Sequence, residues 1–204
     1  FFGLQYIYQT LTNSDGADPI DYPAIMANPA EFELVATDAA TGKPVYFTKD
    51  DMKQDDYRAI MASCALPVMC RPISFKDQTY FDGGLSDSVP IMRAFAKGCD
   101  RVVVILSKPR SFVKQPEGFR HIYRHALRKY PQTIAALDNR HLMYRQNIAD
   151  VKKQESAGKA LVFAPSKELK MSTYARDEKL EQELYDLGIS DFDARLNELH
   201  TFLS

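Results

Sequence analysis

Tyr80-Phe81-Asp82-Gly83-Gly84-Leu85-Ser86-Asp87-Ser88-Val89-Pro90 is the stretch whose reading decides the fold. Aromatic and β-forming residues deliver an aspartate to the end of a strand. Two glycines then permit a sharp turn, and a proline is placed to open a helix. In open α/β sheets, sites form just outside the carboxyl ends of strands, so Asp82 is positioned to reach into a cleft. Taken alone, Asp-Gly is also among the commonest turn dipeptides. The neighbouring segments must therefore decide between a site and a plain turn.

Upstream, Glu31–Thr37 alternates like a strand, Thr41-Gly42-Lys43 supplies a turn, and Pro44–Thr48 reads as the partner strand of a hairpin. Residues 11–23 read as loop, with a short helical piece at Tyr22–Met26. Asp55–Ala65 carries Tyr57, Ile60, Met61 and Cys64 at helical spacing, and Pro67 stops it. Arg71–Phe75 and Thr79–Phe81 are short strands around Lys76-Asp77-Gln78. Downstream, Pro90 opens a helix that Gly98 closes, and Arg101–Leu106 is a continuous apolar run expected to form a buried, parallel strand. Beyond Lys108 the helical pattern dominates: Phe119–Lys129, Gln132–Ala157, Asp177–Leu187 and Asp191–Leu203, with one strand at Ala160–Ala164. Gly158 and Gly188 are expected at helix C-termini, and Ser190 or Asp191 as the cap of the last helix. The chain order thus divides into an α/β part, 1–107, and a mainly helical part with one strand, 108–204.

Composition sets bounds on this picture. The 204 residues are 45% hydrophobic and 26% charged, which suits a globular domain and excludes a disordered tail or a collagen-like fibre. No apolar run approaches the roughly 18–20 residues of a membrane-spanning helix. Three cysteines without C-x-x-C spacing exclude a disulfide framework and favour a reducing, cytoplasmic setting, peripheral to a membrane at most. The net charge of −1 predicts no nucleic-acid partner, yet it is uneven. Residues 108–159 hold 12 Lys/Arg against 4 Asp/Glu, a surplus of +8, and the remainder carries −9. Such asymmetry suits an anionic surface or a solvated helix face, and the wide spread of the basic residues favours the second.

Three segments in order carry a resemblance: Val35-Ala36-Thr37-Asp38-Ala39-Ala40-Thr41-Gly42-Lys43-Pro44-Val45, then Ala62-Ser63-Cys64-Ala65-Leu66-Pro67, then Asp82-Gly83-Gly84. Together they resemble the second half of the patatin-like phospholipase domain. The tail from Arg124 to Leu203, with Tyr130-Pro131, Arg140, Tyr144 and the Gly158–Pro165 strand, is similar to the extension of one bacterial branch of that family. The resemblance implies the later part of a three-layer α/β/α domain followed by a helical extension. It implies a lipid acyl hydrolase with a Ser-Asp dyad and no cofactor, acting on phospholipid or another acyl ester. Asp82 would be the general base, with Gly83 and Gly84 forming the active-site turn. The serine of that family lies in a G-x-S-x-G elbow, and a glycine-rich loop forms its oxyanion hole.

Neither motif occurs in this sequence: Gly84-Leu85-Ser86 continues as Asp87-Ser88, and Gly3 and Gly16 are solitary. Ser88 stands where many relatives have asparagine. The chain opens Phe1-Phe2-Gly3 rather than at a methionine. By resemblance, the nucleophile and oxyanion parts are expected to precede Phe1, leaving a fragment that holds the base without its nucleophile. Its incomplete sheet would expose edges suited to homodimerisation. The alternative is a non-catalytic module binding a membrane or a protein, with the stripe Arg120, Arg124 and Arg128 meeting anionic lipid. His121 and His125 stand one helical turn apart, but they lack the intervening glutamate of a metal motif, so no metal site is expected. Cys64 reads as packing and Asp38 as turn chemistry with Thr41.

Overall fold

Alternation in Glu33–Asp38 (β1) and Pro44–Thr48 (β2) gives the expected antiparallel hairpin, registered from Glu33 opposite Thr48 to Thr37 opposite Pro44. The computed structural model describes residues 3–169 and 177–204. Two compact units emerge, each assembled from two stretches of chain: 1–89 with 115–144, and 90–114 with 145–204.

The first unit opens with a short helix α1 (Leu4–Tyr6) and α2 (Tyr22–Ala27), the latter capped by Asp21, whose carboxylate accepts the Ala24 N–H at 3.0 Å. After the hairpin comes α3 (Arg58–Ser63), then β3 (Ile73–Phe75) and β4 (Gln78–Asp82). The α3 helix starts later than its sequence pattern suggests. Asp55 adopts a left-handed conformation (φ 62°) and takes the Ser14 N–H and hydroxyl instead of opening a first turn. Lys76 and Asp77 turn with φ of 49° and 60°, the two positive values of a tight hairpin turn matched to strand twist. The strands form one sheet in the order β2-β1-β4-β3, with every neighbouring pair antiparallel.

Pleating sends consecutive residues of β4 to opposite faces. Tyr80 joins Ala36, Phe47, Met52, Ala59, Ala62 and Phe75 beneath α3. The rings of Phe75 and Tyr80 meet Phe47 edge-on at 5.4 and 5.0 Å. Phe81 joins Ala39, Leu85, Tyr123, Leu127 and Leu137 on the other face. Those last three residues come from α5 (Arg120–Ala126), the residue that follows it, and the first half of α6 (Pro131–Ser156). Helices therefore cover both faces of the sheet, the layering of an α/β fold.

In the second unit, α4 (Ile91–Ala96) begins directly after Pro90, and β5 (Val102–Ile105) pairs in parallel with β6 (Ala160–Phe163). The parallel pairing follows the sequence expectation, but continuous burial does not. Only Val104 of β5 is buried, and Ile105 is 80% exposed, because the pair has two strands and β5 is an edge. Gly158 ends α6 with φ 70°, and the Lys159 and Gly158 N–H groups return to the carbonyls of Gln154 and Glu155. Gly188 does not end a helix. Instead α7 runs unbroken from Glu178 to Asp193, and α8 covers Leu196–Leu203. Asp191 caps nothing there; its carboxylate accepts the Ser166 N–H at 2.8 Å.

Candidate active site

Asp82 is the last residue of β4, and its position is held through its backbone. Its N–H donates to the Ala65 carbonyl at 2.9 Å, just beyond α3. Its carbonyl accepts the hydroxyl of Thr37, which is completely buried on the neighbouring strand, at 2.8 Å. With that single proton committed, the Ser86 hydroxyl must be the donor in its 2.8 Å contact with Thr37 Oγ1. Strand and following turn are thereby tied together.

The two glycines serve the turn differently. A Cβ on Gly83 would lie 2.2 Å from the Val35 carbonyl oxygen, so β1 passes where any side chain would stand. A Cβ on Gly84 would meet Asp82 Oδ1 at 2.9 Å. Freed of side chains, the chain curls into one short helical turn, and the Gly84 N–H reaches Asp82 Oδ1 at 2.6 Å. Oδ2 makes no protein hydrogen bond among the described residues and is the oxygen left to accept a proton. Burial raises the carboxyl's pKa above its ordinary 3.8, and the Gly84 N–H and the Arg140 charge only partly oppose it. The balance produces a stronger base than a solvated aspartate.

The sequence marks Arg140 only within the resemblance of the tail and Ser88 only as a departure from asparagine, and assigns neither to the bracing of this turn. Arg140, on α6, donates Nε–H to the Gly84 carbonyl at 2.8 Å and pairs through Nη1 with Glu117 at 3.1 Å. The Ser88 hydroxyl donates to the same carbonyl at 2.8 Å, and the Tyr46 hydroxyl donates to Asp87 Oδ2 at 2.7 Å. Nothing local in the sequence marks Arg140 as a partner of a glycine 56 residues away.

The remaining candidates fall elsewhere. Asp38 closes the hairpin turn, accepting the N–H groups of Ala40 and Thr41 and the Thr41 hydroxyl. Cys64 is half-buried, 3.8 Å from the Tyr8 hydroxyl. Burial raises its thiol pKa, and the negative charge of Asp82 adds to the effect, which is the reverse of an activated thiolate. Burial likewise pushes the Tyr8 phenol up to about 12. Arg120 and Arg124 both converge on Asp138, together with the Tyr123 hydroxyl, while Arg128 donates to the His125 carbonyl. His121 and His125 are exposed, and among the described residues no three His, Cys, Asp or Glu side chains gather as a metal site. No helix of the described residues is long and apolar enough to cross a membrane.

This geometry coincides with what the sequence shares with known proteins. Residues 7–95 match the patatin-like phospholipase family, so that β1 to β4, Asp82 and both glycines lie within the match. This part of the chain is patatin-like. Residues 130–204 match a domain of unknown function (DUF6363), which contains Arg140. The uncharacterized protein YjjU of Escherichia coli (strain K12) is 29% identical over 110 residues. That alignment covers 47% of this chain and 30% of YjjU, so the chain spans under a third of its curated relative. The patatin-like turn and the arginine that braces it thus belong to two differently classified segments.

Proposed function

We propose that this chain supplies the general-base aspartate of a Ser-Asp lipid acyl hydrolase acting on phospholipid or a related acyl ester. The observation that carries the reading is Asp82 itself. It is a partly buried carboxylate at a strand end, with Oδ1 held by Gly84 and Oδ2 open, its basicity raised by burial, inside a patatin-like segment. In that role Oδ2 accepts the proton of a serine hydroxyl as the oxygen attacks the ester carbonyl, and later returns it to the departing alcohol. No G-x-S-x-G is present in the 204 residues, so the serine and oxyanion hole are supplied by another stretch of polypeptide. Residues 1–107 then act as the later half of the catalytic domain and 108–204 as its extension. Asp138 already engages Arg120 and Arg124, which makes docking to an anionic surface the weaker reading.

The test is hydrolysis of p-nitrophenyl butyrate by this chain, alone and co-expressed with a patatin-like segment bearing the G-x-S-x-G elbow. The expected result is no Asp82-dependent turnover by the chain alone. The complemented assembly should turn over the ester and lose about 10²–10⁴ in rate on Asp82→Asn. Asp82-dependent turnover by the isolated chain would overturn the missing nucleophile. Full activity of complemented Asp82→Asn would overturn the role of the aspartate.

A further inference from the structure

Helix α5 has two unlike sides. Tyr123 and Leu127 are buried in the cluster around Phe81, while His121 and His125, two positions either side of Tyr123, fall on the opposite side and are exposed. Ile122 beside them is 58% exposed. The helix opens on Phe119, which holds a left-handed backbone (φ 54°) and leaves its side chain 83% exposed. A bulky residue is an outlier in that region, and no burial of its ring offsets the strain. The turn after the helix adds Arg128 and Lys129, both exposed and, among the described residues, without a carboxylate partner. Residues 118–130 hold four Lys/Arg and no Asp/Glu. Asp138 takes up both Arg120 and Arg124, which leaves even that cluster with one positive charge in excess.

We propose that the outer side of α5 seats the protein on an anionic phospholipid bilayer, with Phe119 and Ile122 entering the acyl boundary and Arg128 and Lys129 meeting headgroup phosphates. Charge complementarity selects this occupant: apolar side chains set among uncompensated cations, with no acid between them, suit a negatively charged lipid surface. Aromatic rings favour the headgroup level of a bilayer, which gives the outward Phe119 ring a place to go. Strands that complete an α/β sheet join at its edges, and the helices they bring pack on its faces. The outer side of a helix already covering the sheet therefore stays outermost when the catalytic domain is completed. The seat also differs from the arginine stripe expected from the sequence, because Arg120 and Arg124 turn toward Asp138. Docking here serves the hydrolase rather than replacing it. The choice of a lipid bilayer rests on the acyl-ester reading above, whereas the binding itself needs no nucleophile.

The test is co-sedimentation of the full chain with vesicles of phosphatidylcholine alone and of phosphatidylcholine mixed with phosphatidylglycerol. The wild type should bind the mixed vesicles at least about tenfold more tightly, and the gain should shrink as salt is raised. Phe119→Gly separates binding from folding, because glycine accepts the left-handed backbone freely and the fold should be kept or stabilised. It should nevertheless lose about fivefold in affinity for the mixed vesicles. Arg128→Glu combined with Lys129→Glu should abolish the preference for phosphatidylglycerol. The same exchange at the exposed Lys152 and Lys153, further along α6, should cost less than about twofold. Equal binding to the two vesicles, Phe119→Gly binding like the wild type, or an equal loss from Lys152 and Lys153 would each overturn the proposal. So would the absence of vesicle binding, even if an acidic protein were bound instead. Vesicle binding without Asp82-dependent turnover in the complemented assembly would uphold the seat and remove only the hydrolase reading.

Discussion

Arg140 donates its Nε–H to the carbonyl of Gly84 at 2.8 Å, while the N–H of the same glycine is held by Asp82. Both polar groups of one residue are thereby pinned, one to the candidate base and the other to helix α6. Glu117 balances the guanidinium, and both side chains of that ion pair are about three-quarters buried, with 23% and 26% of their surface exposed. The orientation of the Asp82 carboxylate is thus coupled to the seating of a helix remote in sequence.

Replacing Arg140 by alanine removes a charged hydrogen bond and leaves Glu117 without that counter-charge. The expected loss is about 1–3 kcal/mol of stability in urea melts. Asp82 should also titrate higher than in the wild type, since the nearby positive charge favours its ionised form. Carbon-detected NMR of the Asp82 carboxyl reads this directly. Arg140→Lys should recover little of either effect, because an ammonium cannot reproduce the fork that meets Gly84 and Glu117 together. An unchanged Asp82 titration in Arg140→Ala would remove the electrostatic link.

The two glycines should respond differently to alanine. At Gly83 the new methyl collides with backbone of β1, which cannot give way without opening the sheet, and a loss of about 3 kcal/mol or more is expected. At Gly84 the nearest atom is the end of the Asp82 side chain, which can rotate. Gly84→Ala should therefore fold with a loss nearer 1 kcal/mol while displacing the carboxylate. Chemical denaturation of the pair decides the order, and equal losses would contradict it.

Asp82 trades stability for basicity. Its folded pKa lies above the unfolded value of 3.8, so its contribution is complete below that value and is lost as pH rises through the folded pKa. Asparagine keeps an oxygen for the Gly84 N–H and carries no charge. Asp82→Asn should accordingly melt at or above the wild-type temperature at pH 7, with its advantage disappearing toward pH 3. A less stable variant at pH 7 would show that the carboxylate holds the fold together.

Asp138 has the opposite sign. Partial burial acts to raise its pKa, but bonds from Tyr123, Arg120 and Arg124 outweigh this and hold it down to about 2. A depressed carboxyl stabilises the fold above its unfolded pKa, and that contribution is lost as pH falls through the folded one. Asp138→Asn should cost no more than about 2 kcal/mol near neutrality, allowing for solvent screening of the arginines. The gap to wild type should hold down to about pH 5 and close toward pH 2. A gap independent of pH would assign the loss to packing rather than charge.

Local chemistry was readable from the sequence and long-range chemistry was not. The β1–β2 hairpin, the strand ending at Asp82 and the helix after Pro90 follow from alternation, turn residues and proline geometry within a few positions. Gly188 misleads because a single glycine inside a helix costs only about 1 kcal/mol, which the turns on either side outweigh. The apolar run of β5 reads as buried because hydrophobicity does not tell a central strand from an edge. Arg140 stands out only through the resemblance of the tail, and its bond to Gly84 is not legible because an arginine on a long polar helix looks like any other solvated charge until the helix is seated.

The seating of α6 also bears on how such a gene can be rearranged. Thr133 is fully buried and donates its hydroxyl to the Ala39 carbonyl at 3.0 Å, Leu137 closes the cluster around Phe81, and Arg140 braces Gly84. All three belong to the 130–204 segment, and all three contacts are with the 7–95 segment. A recombination event or a cloning boundary placed between the two would strip one face from the sheet that carries Asp82. The boundary between the two classified segments therefore does not coincide with a boundary of the packed unit 1–89 with 115–144.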